Sequence, residues 1–137
     1  MKQLPTAGLL VVKNNKLLLT YSKNKKAWYL PGGKLDEGET SKIALIREIK
    51  EELSLDLQDE KLSFYCHITA KAYGEDNLLM EQDCFLYDLQ EVIQPTNEIE
   101  AVKYFDYNEY LKEEIQVEGV VMVFDELIQG KQLVEIN

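Results

Sequence analysis

The chain has 137 residues, 45% of them apolar and 29% charged, with seven glycines and three prolines; this is the composition of a folded protein, and the length suits one domain spanning residues 1–137. Twenty-five acids against 15 bases give a formal charge of -10. That balance excludes non-specific binding to a nucleic-acid polymer or an anionic membrane, because both partners demand a basic face.

The opening "MKQLPTAGLLVVKNN" has neither the pattern of a secretory signal nor that of a membrane span, and no later apolar run approaches the about 18 residues a span requires, so the expected address is cytoplasmic. Cys66 and Cys84 lie 18 positions apart, without a C-x-x-C motif and with a single histidine in the chain, His67. A zinc framework is thereby excluded, and two small buried thiols are expected rather than a disulfide.

In chain order, "AGLLVVKNNKLLLTYS" predicts a β-hairpin turning at Asn14-Asn15, residues that tolerate positive φ. The segment "SKNKKAWYLPGGKLDEGE" shows no helical or strand period and carries Pro31, Gly32, Gly33 and Gly38, so a long ordered loop is expected there. Thr40 or Ser41 then caps a helix running to about Leu53. "KLSFYCHITAKAY" and "LLMEQDCFLYDL" read as a second hairpin joined through "GEDN", and "AVKYFDY" as a further strand. "NEYLKEEI" and "GVVMVFDELIQG" read as helical pieces, the second ending at Gly130. His67 falls in an alternating strand, packed or facing solvent. Together these elements predict an α/β (α+β) fold with a mixed sheet covered on both faces.

The helix carries the chemistry. At about 100° per residue, Glu48, Glu51 and Glu52 share one arc, and Ile43, Ile46, Ile49 and Leu53 fall on the other side. A solvated charged face is one reading. Such faces usually mix signs, however, because like charges at i, i+4 destabilise a helix, and here Glu48 and Glu52 are such a pair opposed only by Arg47, the single arginine of the chain. The other reading is a site for a hard divalent cation: Mg²⁺ prefers oxygen ligands and is commonly shared between carboxylates and substrate phosphates.

Outward from the helix, Gly33, five residues, Glu39, seven residues, and then Arg47-Glu48-Ile49-x-Glu51-Glu52-x-Ser54-Leu55 resembles the Nudix box of MutT-type pyrophosphohydrolases at eight of its nine specified positions. The preceding "WYLPGG" is similar to the aromatic-x-PGG approach of that family. The box covers 23 residues, 33–55; its one departure is Ser54, where the family has a glycine just beyond the helix, and this puts the helix exit in question rather than the ligands.

The resemblance implies a Nudix-type α/β/α sandwich with a mixed β-sheet between helices. It also implies Mg²⁺-dependent hydrolysis of the pyrophosphate linkage of a nucleoside diphosphate joined to another moiety, with Mn²⁺ able to substitute. A (deoxy)nucleoside triphosphate or oxidised nucleotide is the leading substrate, giving a nucleoside monophosphate. Dinucleoside polyphosphates, ADP-ribose and nucleotide sugars are the alternatives within the enzyme class, and a non-catalytic nucleotide-binding or regulatory domain is the alternative outside it.

Carried over position by position, Glu48, Glu51 and Glu52 match the metal ligands, with the Gly33 carbonyl as a further donor, and Arg47 matches the arginine that orients a box glutamate. Glu52 is the first candidate for the general base. Glu39, Glu98 and Glu100 are candidates for an extra ligand or base, and each also reads as a structural or surface acid. For substrate binding, Trp28 and Tyr29 offer aromatic faces for a base or anchors for a loop, Lys34 a phosphate contact or a plain surface charge. Tyr73 resembles in placement a tyrosine of dinucleoside polyphosphate hydrolases. The expected partner is a small nucleotide, with no nucleic-acid polymer or membrane, and the chain is expected to be a monomer or homodimer.

Overall fold

A computed structural model describes residues 2–93 and 99–135. Eight strands run in order as β1 (Lys2–Leu10), β2 (Val12–Lys13), β3 (Lys16–Ser22), β4 (Ala27–Tyr29), β5 (Gly32–Lys34), β6 (Ser63–Lys71), β7 (Leu78–Leu86) and β8 (Ile99–Phe105). Helix α1 (Ser41–Leu53) lies between β5 and β6, and α2 (Tyr107–Leu111) and α3 (Glu118–Gln129) follow β8. One sheet has the order β5-β1-β7-β6, with β1 and β7 parallel and its other pairs antiparallel. In the second sheet β3 pairs with β2, β4 and β8, all antiparallel.

The mixed sheet stands between helices, as expected. Successive side chains of a strand point to opposite faces, and β1 uses this to build two cores. Ala7, Leu9 and Val11 join Leu45, Ile49 and Leu53 of α1. Leu10 joins Ile68, Cys84 and the α3 residues Val120, Val123, Phe124 and Leu127. Each fully buried Leu or Ile contributes about 1.5–3 kcal/mol against exposure, so the two rows fix both helices on the sheet. On α1 the buried set is Ala44, Leu45, Ile49 and Leu53. Ile43, expected on the apolar side, is 54% exposed, because the i, i+4 row through Leu45 is the one that meets β1.

Local chemistry sets the boundaries. Asn14 and Asn15 take φ of 51° and 62°, the doubly left-handed pair a two-residue hairpin requires. Thr40 caps α1, its hydroxyl accepting from the Ile43 N–H at 3.3 Å. Ser54 ends α1 at φ 56°, ψ 34°, its N–H donating to the Lys50 carbonyl, so the serine adopts the left-handed exit that a glycine favours.

Three expectations need correction. The segment expected as a loop holds β4 and β5, three residues each and too short to leave a period; β4 folds back on β3 as a hairpin, and β5 pairs with the distant β1. "NEYLKEEI" is helical only in its first four residues, within α2: Asp106 and Glu109 form a capping box that starts α2, while Glu113 and Glu114 would place negative charge at the negative end of a longer helix. Cys84 is buried, but Cys66 is only partly so, and both are free thiols. No helix among the described residues is long and apolar enough to cross a membrane.

Candidate active site

The acidic face of α1 leans on β5. Glu52 reaches across so that its Oε1 accepts the Gly32 N–H at 3.2 Å. Beside it, a Cβ placed on Gly33 would stand 2.5 Å from Cδ of Glu48, so the carboxylate occupies the room that the missing side chain leaves. Gly32 has φ of +139°, and a Cβ there would run into the Ala7 carbonyl oxygen. The glycine pair is therefore what lets α1 carboxylates lie directly against strand backbone.

Arg47 organises the charge. Its Nε and Nη2 donate to the two oxygens of Glu39, each at 2.8 Å, its Nη1 to Glu48 at 3.0 Å, and its Nη2 also to the Lys34 carbonyl at 3.1 Å. Glu51 at 3.5 Å and Asp36 at 3.4 Å complete the ring of acids around one guanidinium. The Arg47 hydrogen bond, reinforced by the Asp36 N–H, pulls the Glu39 carboxyl down to about 2. The same contacts raise the Arg47 pKa, against burial. Burial pushes the Glu48 carboxyl up, against the pull of Arg47.

Arg47 thus bonds Glu48 and Glu39 together, and both oxygens of Glu39 are taken by protein donors. Glu51 keeps a side chain 60% exposed. Among the described residues no three His, Cys, Asp or Glu side chains close around a single point. Glu48, Glu51 and Glu52 share a helix face; Glu48 and Glu51 both accept from Nη1 of Arg47, while Glu52 turns to the Gly32 N–H. The donor set nevertheless suits a hard divalent cation: three carboxylates, with Glu48 seated against the Gly33 backbone where no side chain intervenes. Glu98 and the side chain of Glu100 lie outside the described residues.

A cleft of about 430 Å³ opens beside this face and brings together Tyr29, Gly32, Gly33, Lys34, Glu52 and Tyr73. Trp28 is not part of its lining; its ring is wedged edge-on between Tyr21 at 5.2 Å and Phe105 at 5.0 Å and serves the core. Sequence reasoning missed Thr6, Thr20 and Gln82, which also line the cleft and are the buried polar side chains among the described residues. Their signal was a polar letter inside or beside an apolar strand run. Burial, with Tyr73 next, pushes the Tyr29 hydroxyl up to about 12.

The NUDIX domain profile matches residues 2–123. The chain belongs to the Nudix family. Among its relatives is the m7GpppN-mRNA hydrolase of Saccharomyces cerevisiae, 27% identical over 125 residues, which cover 81% of this chain and 12% of that protein. A second is the 8-oxo-dGTP diphosphatase of Proteus vulgaris, 36% identical over 55 residues, 37% of this chain and 49% of that one. This Nudix chain therefore spans only about an eighth of the yeast protein it matches. The crystal structure of a MutT Nudix hydrolase from Burkholderia pseudomallei superposes with a TM-score of 0.77 at 20% identity, covering 93% of this chain and 99% of that one. It has the same fold, the α/β/α sandwich of the family.

Proposed function

We propose that the protein is a Mg²⁺-dependent nucleotide pyrophosphohydrolase, cutting the pyrophosphate linkage of a nucleoside diphosphate joined to another moiety, with a (deoxy)nucleoside triphosphate or oxidised nucleotide as first candidate. The observation that carries this is the placing of Glu52: its carboxylate sits on the Gly32 N–H at the wall of the cleft, beside Glu48 in the Gly33 cradle. The relatives' names, a diphosphatase of 8-oxo-dGTP and a hydrolase of m7GpppN-mRNA, support a nucleotide substrate.

Glu48, Glu51, Glu52 and the Gly33 carbonyl would hold the cation, which when bound neutralises pyrophosphate oxygens and makes water more acidic. The protein's own part is positional and basic. Arg47 fixes Glu48 through Nη1 while Glu39 fixes Arg47. Glu52, oriented by the Gly32 N–H, takes the proton of the attacking water as that water displaces the leaving phosphate in line. Lys34, on the cleft wall, supplies a positive charge to the phosphate chain.

The test is a panel of (deoxy)nucleoside triphosphates, oxidised dGTP, ADP-ribose, nucleotide sugars and dinucleoside polyphosphates, read as Mg²⁺-dependent release of phosphate or pyrophosphate. Glu52→Gln and Glu51→Gln should each lose roughly 10²-fold or more in rate with an unchanged circular dichroism spectrum. No turnover of any substrate would leave the non-catalytic nucleotide-binding alternative standing, and full activity in both variants would overturn the roles given to Glu51 and Glu52.

A further inference from the structure

The inner half of the cleft is built unlike its rim. Thr6 and Gln82 are register partners on the parallel strands β1 and β7, and Thr20 and Tyr29 are register partners on β3 and β4 of the other sheet. Each sheet therefore turns one adjacent polar pair into the same cleft. Thr6, Thr20 and Gln82 are only 6%, 2% and 7% exposed. Side chains so deeply buried normally have their polar atoms satisfied within the protein. Here they are poorly satisfied. The Thr6 and Thr20 hydroxyls reach the Glu81 and Tyr29 carbonyls at a long 3.4 Å. The Gln82 Oε1 accepts only from the Cys84 thiol, at 3.9 Å, among the described residues. The Tyr29 hydroxyl has no partner at all among them and is the only buried side-chain polar atom left so. A buried hydroxyl without a partner costs stability, so folding alone gives no reason for these groups to converge.

The other walls decide what shape of ligand would use them. Leu30, Met80, Ile99 and Val117 are apolar and line the same cleft. A sugar, with hydroxyls on every side, would leave many of its groups unpaired against such walls, whereas a flat heteroaromatic ring has apolar faces and a polar edge. Gly8 contributes by being small: a Cβ there would meet the Gln82 amide at 3.1 Å and Leu30 at 3.2 Å, so the carboxamide and the leucine pack over the space the glycine leaves. We infer that this inner wall reads the nucleobase of the substrate, the Gln82 carboxamide and the Tyr29 hydroxyl bonding to its polar edge while the leucine and methionine side chains pack on its faces. The inference rests on the nucleotide reading of the site and adds the part of the substrate that is recognised.

The experiment separates the two. Binding of the nucleoside monophosphates of adenine, guanine, cytosine and uracil, without metal, is measured by calorimetry for wild type, Gln82→Met, Gln82→Glu and Tyr29→Phe. The ratios of kcat/KM among the matching triphosphates are measured in parallel. Wild type should prefer one base. Gln82→Met should flatten that preference by about 10-fold or more, as loss of a paired donor and acceptor does, and the loss should appear in KM. Gln82→Glu, now offering acceptors only, should move the ranking toward guanine, whose N1–H and N2–H₂ are adjacent donors. Tyr29→Phe should weaken base binding with no fall in melting temperature, because its hydroxyl has no partner among the described residues; this variant carries the test if the Gln82 variants do not fold. An unchanged base ranking in the variants of an active enzyme overturns the base reading and leaves the hydrolase standing. Base-selective binding that Gln82→Met abolishes, in a protein without turnover, does the reverse. Absence of any base-selective binding in wild type overturns the pocket directly.

Discussion

Arg47 holds Glu39 by two parallel hydrogen bonds of 2.8 Å, from Nε to one carboxylate oxygen and from Nη2 to the other. A fork of this kind matches a carboxylate in plane and a lysine cannot reproduce it. Arg47→Lys should therefore release Glu39, Glu48 and the Lys34 carbonyl together. It is expected to lower stability by about 1–3 kcal/mol and to reduce kcat by more than Glu39→Gln does, since the amide keeps one acceptor; chemical denaturation and steady-state rates check both.

The same pair sets an acid limit. The Glu39 carboxyl is held down to about 2 from an ordinary 4.5, so between those values the unfolded chain binds the proton that the folded one refuses. Its stabilising effect is complete above about pH 4.5 and is lost as pH falls toward 2. Denaturation midpoints of wild type and Glu39→Gln should accordingly differ at pH 6 and approach each other as pH falls through that window; a constant difference down to pH 2 would contradict the pairing.

The adjacent glycines should respond differently to alanine. At Gly32 a Cβ meets the Ala7 carbonyl at a φ of +139°, so Gly32→Ala is expected to cost about 1–3 kcal/mol or more and to show in the melting temperature. At Gly33 the backbone tolerates alanine, but the methyl group takes the place of the Glu48 carboxylate. Gly33→Ala should chiefly weaken Mg²⁺ dependence, read as a raised metal concentration for half-maximal rate with a smaller change in melting temperature.

Ser54 pays a conformational cost at its left-handed φ of 56°. Ser54→Gly should raise stability by roughly 0.5–1 kcal/mol without changing kcat. A loss of stability in that variant would mean that the serine side chain has a partner of its own.

His67 stands on the outer face of the mixed sheet, Nδ1 at 2.7 Å from Asp83 and Nε2 at 2.8 Å from Glu81. The hydrogen bond with Asp83, then that with Glu81, raises its pKa above the ordinary 6.5. Folding therefore favours the protonated ring, a contribution present in full below about pH 6.5 and lost as pH rises through the elevated value. The stability difference between wild type and His67→Gln should shrink from pH 6 to pH 9, and the imidazole resonances should titrate late.

Much of this arrangement was legible in residue order. The hairpin at Asn14-Asn15, the Thr40 cap and the α1 span are local signals, each set by residues within a few positions of one another, and the structure keeps each. What was not legible depends on distant partners. Nothing near Gly32 announces that it will pair with Gly8, and nothing near Lys2 announces a parallel strand 76 positions later. The α1 face was read one row off because Ile43 and Leu45 are equally apolar and only the strand beneath selects between them. Thr6, Thr20 and Gln82 were passed over for a related reason: a lone polar letter in a strand looks like its solvent side until the second sheet covers it.

The alternation along β1 has a further consequence. Odd positions such as Ala7 and Leu9 belong to the helix α1 core, whereas Leu4 and Thr6 belong to the cleft. Cleft lining and core packing are thus written on one strand in interleaved letters. One set can be exchanged while packing holds the other still, whereas a one-residue slip of β1 against β7 would swap the two sets and ruin both.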